Sequence, residues 1–140
     1  MMECLFCQIV RGERSAYTLF EGDKAVAFLD IFPCTTGHTL VIPRRHYASL
    51  GEMPLEEVGA LFQAAALVAE RVQKAVGAQG FNLGVNNGKA AGQEVFHIHI
   101  HVIPRYVHDG GGSMKGIVRK PVGESLETVA EKVRRVMASS

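Results

Sequence analysis

The chain has almost no net charge: 15 Lys and Arg stand against 14 Asp and Glu in 140 residues. Without a basic excess it lacks the electrostatic footprint of a non-specific nucleic-acid binder. The arginine pairs at 44–45 and 134–135 are therefore read as solvated surface. Nowhere does an apolar run reach the roughly 18 residues of a membrane-spanning helix, so no membrane partner is expected. Met1-Met2-Glu3-Cys4 lacks the basic start and apolar run of a secretory leader, and a cytoplasmic location is the expectation. There is no internal repeat and no low-complexity tract. Cysteines are few and odd in number (Cys4, Cys7 and Cys34), which argues against a disulfide framework.

What is present fits one globular domain over residues 1–140. Hydrophobic residues make up 47% and charged residues 21%, and the length is enough to bury a core. The stretch "CLFCQIVRGERS" reads as one helical turn and a loop. "AYTLFEGDKAVAFLD" reads as a hairpin turning at Glu21-Gly22-Asp23-Lys24. "IFPCTTG" is a loop, and "HTLVIP" a strand stopped by Pro43. From Leu55 through Val58, Leu61, Phe62, Ala65, Val68, Ala69 and Val72 to Val76 the apolar spacing becomes helical. Pro54 suits the first position of that helix and Gly77 its stop. "FNLGVN" is a further strand, and "NGKAAGQ" a glycine-bearing loop. "HDGGGSMKG" is read as a flexible loop. A second amphipathic helix follows Glu124, with Leu126, Val129, Val133, Val136 and Met137 on one side and its acids ahead of its bases, as the helix dipole prefers.

"VFHIHIHVI" decides the chemistry. In a helix His99 would leave the face shared by His97 and His101; in a strand all three share one face and Ile98, Ile100 and Val102 the other. The β-branched residues favour the strand, ending at Pro104. The expected fold is α+β: an antiparallel sheet of about five strands, one long central helix and a C-terminal helix. Its core spans about residues 3–106, with a loop and helix over 107–140.

Three readings compete for the histidines. A bland polar sheet face is one. A zinc site of three histidines is the second, but alternate positions lie roughly 6.5–7 Å apart, and three consecutive ones span too far to converge easily on one ion. The third is nucleophilic catalysis at phosphorus, in which the middle imidazole attacks and then leaves again. The loop "NNGKAAGQ" can supply donors for the developing charge. Separately, Cys4-x-x-Cys7 has the spacing of half a zinc site, or is simply two small apolar side chains one helical turn apart.

"FLDIFP", "GHTLVIPRRH", "VNNGKAAGQ" and "HIHIHVIPR" together resemble the histidine triad family, in its order and at its spacing. The chain is similar to its microbial branch that includes Hint proteins and diadenosine polyphosphate hydrolases. That resemblance implies a hydrolase or transferase attacking the α-phosphate of nucleoside phosphoramidates, nucleotidyl esters or dinucleoside polyphosphates. A nucleotidyl-histidine would form and AMP be released, with no catalytic metal. By resemblance, His99 is the nucleophile, His101 contacts the phosphate, His97 supports them and His38 lies nearby. Asp30 would hold the ribose hydroxyls, Asn86 the leaving-group end, and Gly92 and Gln93 would bring backbone to the phosphate. Phe6, Ile9, Phe28 and Leu40 are candidates for the walls around the base and equally for plain core. Glu94 departs from the family, which places a hydroxyl there. A Cys-x-x-Cys branch of the family binds structural zinc, implying Cys4, Cys7, His46 and His97 as ligands here. Cys34 is left as a packed residue. The resemblance also implies a homodimer whose two sheets join into one. A non-catalytic mononucleotide-binding module is the alternative.

Overall fold

The computed structural model describes residues 3–139, in two compact units, Met1–Asp109 and Gly110–Ser140. The first unit runs α1 (Leu5–Val10), β1 (Thr18–Glu21), β2 (Ala25–Leu29), β3 (Thr39–Pro43), α2 (Leu55–Val76), β4 (Gly80–Gly84) and β5 (Ile100–Arg105). The five strands form one antiparallel sheet in the order β1-β2-β3-β5-β4.

Strands β2 and β3 read as unbroken apolar runs, AVAFL and TLVIP, because both faces of the sheet are covered. One face packs on α2: Ala25, Ala27, Val41, Ile98, Ile100 and Val102 meet Leu61, Ala65, Val68, Ala69 and Val72. Small alanines on the helix let it lie close to the strands. On the other face Val26, Phe28, Leu40 and Ile42 bury Phe6 of α1. The site lies on this second face.

Helix α2 stops where Gly77 turns into the left-handed region at φ 71°, as a glycine just past a helix end does. Pro54 is the N-cap, with ψ 139°, one position earlier than the sequence suggested. Gly37 also has positive φ, at 90°, and a Cβ there would come within 3.1 Å of Pro104 and 3.2 Å of Val72 and Val76.

Three sequence expectations need correction. Pro104 does not end its strand: it pairs with Phe81 inside β5. The carbonyl of Arg105 accepts from Gln79, so Pro104's nitrogen faces the β3 side, where pairing has already ended at Thr39 opposite Val102. No ladder bond is lost. Arg44 is not solvated surface; half-buried, its Nε donates to the Gly22 carbonyl at 2.7 Å and ties down the β1–β2 turn. Cys34 is exposed rather than packed.

The second unit contains a 3-10 turn, Met114–Gly116, inside the segment expected as a plain loop, and helix α3 (Leu126–Ala138). Ser125 caps α3, accepting from the Thr128 amide. Leu126, Val133, Val136 and Met137 are each more than half exposed. Among the described residues no helix is long and apolar enough to cross a membrane.

Candidate functional site

The regular strand begins at Ile100, so His97 and His99 stand in its extended lead-in and His101 in the strand itself. The alternation nonetheless holds through the lead-in. Ile98, Ile100 and Val102 enter the α2 core, and the histidines take the opposite face.

The hydrogen bonds fix the histidine tautomers. His99 Nδ1 lies 2.9 Å from the His97 carbonyl, which can only accept. Nδ1 therefore carries the proton, and the Nε2 lone pair is free. A second chain starts at the Cys34 amide, which donates to His38 Nδ1 at 3.1 Å. That nitrogen being an acceptor, His38 Nε2 carries the proton and donates to His101 Nδ1 at 2.9 Å. His101 Nε2 is then an N–H donor, and it is buried without a partner. A buried orphan donor is costly unless a ligand satisfies it. His99 and His101 both line one pocket of about 510 Å³, and the two rings are 4.9 Å apart.

Burial disfavours charge on His38, His97 and His101. Burial pushes His38 below its ordinary pKa, against the pull of Asp30, whose Oδ2 is 3.6 Å from His38 Nε2. Burial pushes His101 down to about 4, with His99 and His38 adding to the shift. His97, fully buried, is likewise brought to about 4, chiefly by burial.

The pocket gathers most of the residues singled out from sequence. Phe6, Ile9, Phe28 and Leu40 form its apolar wall, and Asp30, Asn86, Gly92 and Glu94 also line it. Phe6 stands edge-on to His99 at 5.2 Å. Asp30 serves its own turn too, since Oδ1 accepts from the Phe32 amide at 2.8 Å; a carboxylate has lone pairs left for hydroxyl donors. Gln93 is not a lining residue. Its side chain is turned inward and spent on Gly88, Ala48 and Val95, and its own amide bonds Gly88. Those bonds shape the loop. Sequence reasoning missed Leu5, Arg14, Ser15, Ala16, Leu29, Ile31, Phe32 and Val95 as lining residues. It also missed the Cys34 amide and the Pro43 carbonyl. No residue-type signal marks them, because backbone groups and chance neighbours carry no motif.

Beside the pocket, Cys4, Cys7, His46 and His97 offer four ligand atoms within 4.8 Å of one another. His97 Nε2 donates to the Pro43 carbonyl at 2.8 Å, which leaves Nδ1 as a lone pair facing the cysteines. Nδ1 of His97 is 3.5 Å from each sulfur and 3.3 Å from His46 Nδ1, and Cys7 Sγ is 3.4 Å from His46 Nδ1. A tetrahedron with Zn–S of about 2.3 Å and Zn–N of about 2.05 Å has S–N edges near 3.5 Å and N–N edges near 3.3 Å. The donor set fits zinc closely. Asp30, His38 and His101 also cluster. There, however, His38 uses Nδ1 to accept from Cys34, so its Nε2 is protonated and cannot be a ligand.

Residues 11–108 match the HIT domain family. Adenylylsulfatase HINT3 of Arabidopsis thaliana is 46% identical over 76% of this chain, which spans 54% of that protein's length. A HIT family protein from Bacillus anthracis superposes with a TM-score of 0.85 at 35% identity, covering 98% of this chain and 96% of that one. A zinc-bound histidine triad family protein from Mycobacterium smegmatis superposes at 0.73 with 33% identity, covering 98% and 97%. With the five-stranded sheet, the triad and the matched span together, the chain belongs to the histidine triad (HIT) family.

Proposed function

We propose that this protein is a nucleotide hydrolase or transferase that forms a covalent nucleotidyl-histidine on His99. One observation carries the reading: in one pocket His99 turns Nδ1 to the His97 carbonyl, leaving Nε2 as its other nitrogen, and beside it His101 has a buried N–H with no partner. A nucleophile and an oxyanion donor side by side are what displacement at phosphorus needs. His99 Nε2 attacks the α-phosphorus, and the bond to the leaving group breaks with its electron pair going to that group. The His97 carbonyl holds the Nδ1 proton and stabilises the cationic ring. His101 Nε2–H donates to a non-bridging oxygen, and His38 keeps that donor in place. Water then displaces the histidine, releasing a nucleoside monophosphate. Phe6, Ile9, Phe28 and Leu40 supply an apolar wall for the base, and Asp30 an acceptor for ribose hydroxyls. An adenosine base is the reading that the adenylylsulfatase relative supports.

Zinc held by Cys4, Cys7, His46 and His97 would be structural: four protein ligands leave no open position for water. Tetrahedral spacing and the zinc-bound relative support this assignment. A homodimer is part of the same reading, as is a single functional domain over the whole chain.

The test mixes wild type and His99→Ala with adenosine phosphoramidate, adenylyl sulfate and diadenosine tetraphosphate, follows AMP release, and weighs the protein for adenylylation. Turnover lost in the variant, with the label on His99, supports the proposal; equal activity in both refutes the nucleophile. Tight AMP binding with no turnover and no adduct would instead favour a binding module.

A further inference from the structure

Glu94 lines the pocket, and the nucleotidyl-transfer reading leaves its charge without work. It sits on the loop between β4 and β5, next to Gln93. Because the Gln93 side chain is buried and holds the loop through three hydrogen bonds, its neighbours Gly92 and Glu94 are turned to the pocket. Glu94 is exposed and makes no hydrogen bond or ion pair among the described residues. The other charged side chains in the lining are Arg14 and Asp30. Asp30 faces His38 and its own turn, while Arg14 gives only its Nε to the neutral Gln8 side chain at 3.2 Å and keeps its charge in the lining. The base wall comes from α1, β2 and β3, and Asp30 directly follows β2. Apart from that wall, the loop between β4 and β5 adds Asn86, Gly92 and Glu94 to the lining, a polar surface open to a departing group.

We propose that Glu94 sets the charge of the leaving group that this pocket accepts. It disfavours anionic leaving groups, such as sulfate or polyphosphate, and admits neutral or cationic ones. The inference rests on the nucleotidyl-transfer reading above. As the His99–phosphorus bond forms, the electron pair of the breaking bond passes to the departing atom. A sulfate or polyphosphate gathers that charge where a carboxylate already stands. An amine takes the pair and a proton from solvent, and leaves without negative charge. Two like charges about 4 Å apart in water change an equilibrium by roughly fivefold, and by more where the cleft excludes water.

The experiment compares kcat/KM of wild type, Glu94→Gln and Glu94→Asp on substrates sharing the AMP half. These are a mono-adenylylated diamine (cationic leaving group), the unsubstituted phosphoramidate (neutral), and adenylyl sulfate and diadenosine tetraphosphate (anionic). Glu94→Gln is expected to raise the anionic-to-cationic ratio roughly tenfold at low salt. The gain should shrink at about 1 M salt, where screening acts over about 3 Å. Glu94→Asp should restore the wild-type order. A ratio that moves less than about twofold, or moves equally at both salts, overturns the proposal. Binding in the His99→Ala background gives an independent reading, since ADP differs from AMP by one phosphate on the leaving-group side. Glu94→Gln should raise ADP affinity relative to AMP about fivefold, and no change in that ratio overturns the assignment. Absence of turnover and of adduct in wild type would sink nucleotidyl transfer itself, while the ADP-to-AMP ratio still decides Glu94.

Discussion

At the scale of the residue, the site depends on where single protons sit. His101 can present an N–H because His38 donates to its other nitrogen, and His38 can donate because a backbone amide occupies its Nδ1. Removing the middle link frees the His101 tautomer. His38→Ala is expected to lower kcat roughly 100-fold, as loss of an oxyanion donor does, with a smaller effect on KM. Steady-state kinetics against the wild type checks it, and an unchanged kcat would break the relay. The same burial has a cost in acid. His38 and His101 are held below the ordinary imidazole value, His101 down to about 4. Between pH of about 6.5 and about 4 the unfolded chain therefore binds more protons than the folded one. Stability is full above about 6.5 and falls as the pH drops toward 4. Urea midpoints across that window should decline, and His101→Asn should flatten the slope.

At the scale of the element, α1 is the weak member on which much depends. Six residues are far short of the roughly 12–15 that an isolated helix needs. The helix is held by Phe6 in the sheet face and by Cys4 and Cys7 against His46 and His97. The same turn carries Phe6 and Ile9 into the pocket. Chelation, or Cys7→Ser, should therefore speed amide exchange over residues 5–10, lower Tm and raise KM more than it lowers kcat. Elemental analysis should find about one zinc per chain in the untreated protein. Normal exchange after metal removal would show that packing alone holds α1. Elements with a strong period were legible beforehand: α2 shows in its apolar spacing, and the hairpin in Glu21-Gly22-Asp23-Lys24. The extent of β5 was not. Proline in a strand is judged by which side its nitrogen faces, and that depends on a neighbour's register.

At the scale of the whole molecule, the sheet has two edges, β1 and β4. The β1 pairing carries a register shift between Thr18 and Phe20, an irregularity that discourages further strand pairing. Along β4 the pairing is regular over five residues. If two sheets join into one, β4 is the edge suited to it. Light scattering should give twice the 15.2 kDa of one chain. Exchange of β4 amides, and not of β1 amides, should slow as concentration rises. A monomer at all concentrations, or protection confined to β1, would refute this arrangement.

The sequence by itself determined that the three histidines share one face, because alternation of imidazole with β-branched residues has one economical solution, and it marked Cys4 and Cys7 as paired by one helical turn; it did not determine that the regular strand starts only at Ile100. Through its resemblance to family motifs it also marked Asp30, Asn86 and His99, residues that the fold gathers around one pocket. Only the tertiary structure decided which nitrogen of each ring is free. That depends on the carbonyls of His97 and Pro43 and the amide of Cys34, backbone groups that every residue possesses and no motif records. It likewise turned Gln93 inward and Glu94 toward the pocket. Adjacent residues in an extended loop face opposite ways, and which of the two faces in is settled by the partners that folding brings within reach.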